Sequence, residues 1–292
     1  MTPVVDKTLE REPSSVGIPW VTMGWFATLL ALCYLPVLVR LVGQWNNDED
    51  MSHGFFVPVL AAYIAWQNRD KFFAEPARPN SWGLALVIYA ALQVCLATLG
   101  AELFLARTAI VLSLIGSVWF LGGTRRLHIM AFPLFLLFFM VPIPAILYNQ
   151  ITFPLQIFAS QAAEWALMTI GIPVLREGNV LELAGQKLSV VEACSGIRSL
   201  LTLSFLALVY GYFFEKKNWM RVLLFVATVP IAIVANASRV TLTGIIAEYK
   251  PSLAHGFFHS AEGWVIFMVA LLILALFHQI AERIYKVTSA AK

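Results

Sequence analysis

Long apolar runs alternate with short, basic, polar loops along this chain. The runs at 20–41, 55–66, 82–99, 104–121, 129–147, 197–214, 222–241 and 264–281 read as hydrophobic segments, and most approach the ~20 residues an α-helix needs to cross a bilayer. The run at 55–66 needs extension to reach that length. A further stretch, 153–172, is interrupted by Gln156, Gln161 and Glu164, and polar residues so spaced suit an amphipathic helix lying in the interface. Between 174 and 191, Val180, Leu181 and Leu183 sit between Gly178 and Gly185, which predicts a small hairpin. The pattern predicts an all-α polytopic membrane protein: about eight transmembrane helices, an interfacial amphipathic helix and a small extracytoplasmic hairpin.

Basic residues set the orientation, because cytoplasmic loops carry an excess of Lys and Arg. Arg69, Lys71 and Arg78 follow the second run, and Arg125 and Arg126 follow the fourth. Lys216, Lys217 and Arg221 join the sixth run to the seventh, and Arg283 and Lys286 follow the last. The intervening loops are poor in basic residues; 44–53 is acidic. The alternation holds if 153–172 does not cross, which places both termini in the cytoplasm of an inner (plasma) membrane protein. Residues 1–19 are polar and read as a flexible cytoplasmic N-terminus with no cleavable signal, 20–287 as one transmembrane domain, and 288–292 as a cytoplasmic tail.

Composition agrees: 60% of the 292 residues are hydrophobic and 13% charged, with nine Trp and 21 Phe. A net charge of +3, spread between apolar runs, gives no basic patch for nucleic acid. The three cysteines form no Cys-x-x-Cys pair, so a redox couple or a cysteine zinc site is not expected. No cofactor or metal is expected either.

Cys33 and Cys95 lie inside apolar runs, whereas Cys194 lies in Glu192-Ala-Cys-Ser195-Gly196, directly before the sixth run. A thiol at a helix start feels free N–H groups and the positive end of the dipole, which favour thiolate. Ser195 and Gly196 let backbone donors approach a reacting carbonyl oxygen. Arg239 lies 18 positions after the cytoplasmic Arg221, roughly 27 Å of helix, so it reaches the face where Cys194 begins its helix. Asn236 lies one turn before Arg239. His255 and His259 precede the last run on that same face, and either fits a base for the thiol. His53, just before the second run, lies on that face too; Ser52 or Asp50 is a candidate helix cap there. Glu102 and Arg107 flank the start of the fourth run and are candidates to pair. A Cys, a His and an Arg converging in a membrane point to acyl transfer through a thioester. A non-enzymatic scaffold or channel for polysaccharide export, and a thiol-dependent membrane acyltransferase, are the rival classes.

These residues resemble the signatures of the exosortase/archaeosortase family of membrane cysteine protease-transpeptidases: Cys194-Ser195-Gly196, Asn236-x-x-Arg239 and His259-x-x-x-Gly263, preceded by Ser52-His53-Gly54. The resemblance implies a catalytic set of Cys194, Arg239 and His259, its spacing selecting His259 over His255. It raises His53 as a residue lining the site on the periplasmic side, beside Ser195, Gly196, Asn236, His255 and Glu192, which the residues themselves offer as lining candidates. It also implies the partners: exported proteins ending in a Pro-Glu-Pro-type motif, a hydrophobic helix and a basic end, delivered through membrane lipid to an unknown acceptor. Such sorting accompanies exopolysaccharide production.

Overall fold

The computed structural model describes residues 20–185, 187–190, 196–249 and 257–290. It is mostly helical. Helix α1 (Trp20–Cys33) bends by 78° into α2 (Leu35–Asn47) at Tyr34, whose hydroxyl meets Ser113 at 2.6 Å. A 3-10 segment (Glu49–Phe55) leads into α3 (Phe56–Gln67) and α4 (Arg69–Ala74), followed by α5 (Ser81–Leu99) and α6 (Leu103–Leu136). Next come a 3-10 turn (Leu137–Met140) and α7 (Ala145–Thr169), then strands β1 (Val174–Glu177), β2 (Val180–Leu183) and β3 (Lys187–Ser189). Helices α8 (Gly196–Phe214), α9 (Asn218–Tyr249) and α10 (Phe257–Ala290) complete the described chain.

Among the described residues, four helical stretches are long and apolar enough to cross a membrane, or five when the bent α1–α2 pair is taken as one. The expected runs at 104–121 and 129–147 appear as a single helical stretch, but its backbone breaks at Gly123 (φ 83°, ψ 178°). Val111 and Leu136 lie in one buried cluster with Leu41 and Val57. On a straight helix those 25 positions would span about 37 Å, so the chain doubles back at Gly123. Only glycine fits there: its φ is left-handed, and a Cβ would lie 2.0 Å from the Arg78 carbonyl oxygen. The first arm packs closely on α5, where Gly83 meets Phe120 and Gly116 meets Val87.

The basic loops gather at one end. Arg125 donates to the Glu75 carboxylate at 3.1 Å, and Arg126 donates twice to the Glu75 carbonyl. Asn68 donates to the Tyr212 hydroxyl at 2.8 Å, tying the end of α3 to that of α8. Arg221 donates to the Glu215 carbonyl, and Lys217 lies 3.4 Å over the Tyr285 ring. Beneath this surface Glu215 accepts from the Lys216 and Lys217 amides and faces His278 Nε2 at 3.2 Å; the other His278 nitrogen meets the Tyr210 hydroxyl.

The sheet is a three-stranded antiparallel meander in the order β1-β2-β3, one strand more than the expected hairpin, pairing Val174 with Leu183 and Leu181 with Leu188. It caps α7 and the second half of α9: Ala159, Ala163, Leu167, Leu181, Leu188, Val190, Val240 and Ala247 form one core. Gln156 accepts from Asn179, and Glu164 pairs with Arg176 at 2.7 Å. Two of the three polar interruptions that marked 153–172 as amphipathic, Gln156 and Glu164, thus hold the meander, although α7 starts at Ala145, earlier than expected. At the other terminus α10 runs helically to Ala290, so the expected tail is mostly helix, and residues 1–19 lie outside the described ones. Exposed apolar side chains such as Trp25, Leu92, Leu96, Val226 and Leu272 fit lipid contact.

Candidate active site

At the end opposite the basic loops, the 3-10 segment is pinned to distant helices. Asp48 caps it, accepting from the Asp50 amide at 3.0 Å, whereas α3, which Ser52 or Asp50 was expected to cap, starts at Phe56 with no side-chain cap. That leaves the Asp50 carboxylate for long-range work: it accepts from Tyr148 at 2.6 Å and from Arg198 Nε at 2.7 Å. Burial first, then the Asp50 hydrogen bond, raises the Tyr148 pKa, so the phenol remains a donor. Trp45 donates to the Met140 carbonyl at 2.9 Å, and its indole lies where a Cβ on Gly54 would fall, 2.5 Å away. Glycine follows His53 for that reason. Buried His53 lies 3.2 Å from the Phe139 carbonyl; burial pulls its pKa below the ordinary value, with the Phe139 carbonyl and nearby aspartates opposing.

Arg198 lies in the first turn of α8, four positions after Cys194, so its bond to Asp50 brings the start of that helix beside the 3-10 segment. Val190, four positions before Cys194, is fully buried in the cluster that holds Val240, the neighbour of Arg239. Leu200, six positions after Cys194, lines a small cavity with Asn236, Ile233 and Leu155. Val190 and Leu200, on either side of Cys194 in the sequence, are therefore both held against the stretch of α9 carrying Asn236 and Arg239. Asn236 is 4% exposed, and its side-chain oxygen is buried with no hydrogen-bond partner among the described residues.

Arg239 reaches across to α10. A Cβ built on Gly263 would lie 3.1 Å from its Cζ and Nη2, so the guanidinium rests on a glycine one turn after His259. His259 lies four positions before that glycine in the same helix. The expected nucleophile Cys194, with Glu192, Ser195 and His255, lies outside the described residues, as does the side chain of His259. What is described is the frame: the elements carrying all three motifs converge at one end of the bundle, with His53 on the adjacent 3-10 segment. Glu102 and Arg107 form no ion pair there. Glu102 instead caps α6, accepting from the Leu105 amide at 2.7 Å.

Neither Tyr148 nor Arg198 stands out in the sequence, where Asp50 reads only as a cap. An arginine in the first turn of an apolar helix was the available signal for Arg198, since such a charge needs a partner. Nothing local marks Tyr148.

A family model described as transmembrane exosortase matches residues 45–276, a span containing every motif above. The chain belongs to the transmembrane exosortase family. No curated protein and no solved structure matches it. The exosortase match begins at Trp45, beside the 3-10 segment, and ends within α10, past Gly263. It covers the whole frame described here.

Proposed function

We propose that this exosortase is a membrane-embedded cysteine protease-transpeptidase that removes C-terminal sorting tails of Pro-Glu-Pro type from exported proteins, in a system linked to exopolysaccharide. The observation that carries the reading is the docking of Arg239 on Gly263, one turn from His259, beside the start of the helix that Cys194 precedes. The Cys194 thiolate adds to the scissile carbonyl, forming a C–S bond. Arg239 and backbone N–H groups at Ser195 and Gly196 stabilise the oxyanion. His259, having taken the thiol proton, returns it to the amine as the C–N bond breaks. An acceptor amine, hydroxyl or water then resolves the thioester and releases the thiol.

In this reading the basic end is cytoplasmic and the Asp50 end periplasmic, in a bacterial inner membrane with both termini inside. The α1–α2 pair, α3, α5, the two arms of α6, α8, α9 and α10 make eight crossings. Two features support this count: the reversal at Gly123, and the gathering of basic loops at one end. A tail carrying its own transmembrane helix would diffuse laterally to a site at this depth.

Co-expression with a tagged protein bearing a cognate tail tests the proposal. Mass spectrometry should show tail loss with the wild type and none with Cys194→Ala at equal membrane abundance, and the new C-terminal mass identifies the acceptor. Normal processing by the alanine variant would sink the mechanism.

A further inference from the structure

Away from this frame, an open cleft separates α2 from the turn joining α5 to α6. Arg40 and Arg107 line it, among Pro36, Val37, Ala97 and Ala106. Arg107 is only 4% exposed, and its Nε is sealed from solvent without a hydrogen-bond partner. Neither arginine forms a hydrogen bond or ion pair with any described residue. Both lie on stretches apolar enough to span a membrane, where an uncompensated cation is costly. Glu102 also lines the cleft and attracts Arg107, while its carboxylate accepts from the Leu105 amide, and one negative charge against two leaves the cleft positive.

We propose that the Arg40–Arg107 cleft binds a phosphate group, presented by the headgroup of a membrane phospholipid. The guanidinium fork matches phosphate oxygens bidentately and is the donor best suited to a partly dehydrated site. Depth agrees. Arg107 lies four residues from the start of α6, about 6 Å along the helix axis, which is headgroup rather than mid-bilayer depth. The cleft rim carries exposed Leu35, Val39, Leu99 and Leu103, an apolar border for acyl chains. The site stands independently of the cysteine chemistry.

Native mass spectrometry of the full-length protein in detergent tests the assignment, using phosphatidylglycerol, diacylglycerol and inorganic phosphate as probes. Phosphatidylglycerol should be retained and diacylglycerol should not, and Arg107→Gln or Arg40→Gln should each weaken retention by about tenfold, the loss of one charge-assisted contact. Glu102→Gln, which keeps a capping oxygen and removes the opposing charge, should strengthen it. Inorganic phosphate that competes at millimolar concentration would keep the phosphate site but assign it to a free anion. Equal retention of diacylglycerol, or unchanged retention in both arginine variants, would overturn the proposal. Should Arg107→Gln fail to fold, weakened retention by Glu102→Gln would overturn it as well.

Discussion

Gly263→Ala is the sharpest test of the site geometry, because it adds one carbon at a known place. That carbon would sit 3.1 Å from Cζ and Nη2 of Arg239 and 3.3 Å from Nη1, where ordinary contact begins near 3.4 Å. The guanidinium must therefore retreat by about 0.3 Å or more. Displacing a catalytic group by 1 Å costs on the order of a hundredfold in rate, and losing one oxyanion donor costs about 10²–10³. Alanine should slow tail processing by roughly tenfold, and Gly263→Val, whose branches push further, by about a hundredfold. The clash is with the far end of a flexible side chain, so the thermal midpoint of the purified protein should hardly change. Rates come from the time course of tail loss after substrate induction, quantified by mass spectrometry, with membrane abundance as control. Wild-type processing by Gly263→Val would refute the role given to Arg239.

Gly123→Ala should abolish recovery of monodisperse protein in detergent, since its Cβ meets a carbonyl oxygen at 2.0 Å, whereas Gly171→Ala, also left-handed (φ 86°) but with open space around it, should cost only about 1 kcal/mol. Asp50→Asn keeps the shape but removes the charge that receives Tyr148 and Arg198. With Arg198 partly exposed, a loss of about 2 kcal/mol is expected, read as faster proteolysis around 190–198 and slower processing. Glu215 gives a pH signature: burial would raise its pKa, but the Lys217 amide, His278 and the Lys216 amide outweigh it and hold the pKa below the ordinary carboxylate value. Its stabilising contribution is present above about pH 4.5 and is lost as pH falls through the lowered value. Thermal melts of Glu215→Gln should therefore be lower at pH 7 and flatter than the wild type on acidification.

The apolar runs, the basic loops and the three short motifs were legible because each is a local property: run length, charge bias, spacing. The reversal at 122–126 was legible too, from Arg125 and Arg126 between two apolar runs, although the helical backbone runs almost through it. The joints were hidden. Asp50 looked like a helix cap because capping is settled within four residues, yet its carboxylate is used 98 and 148 positions away. The glycines at 54, 123 and 263 could be read as small or flexible, but not as seats for Trp45, the Arg78 carbonyl and Arg239. Those partners exist only once the helices have packed. The third strand escaped because Lys187–Ser189 is too short to show alternation.

The seating of Arg239 on Gly263 also bears on biogenesis. The glycine belongs to an apolar stretch that leaves the ribosome some seventy residues after Cys194. Until α10 inserts, the guanidinium has no shelf to rest on and the histidine has not arrived, so in the proposed mechanism a nascent chain carries an unarmed thiol. Insertion of α10 is then the activating step of that mechanism, and chains truncated before 257 should accumulate in the membrane without processing activity.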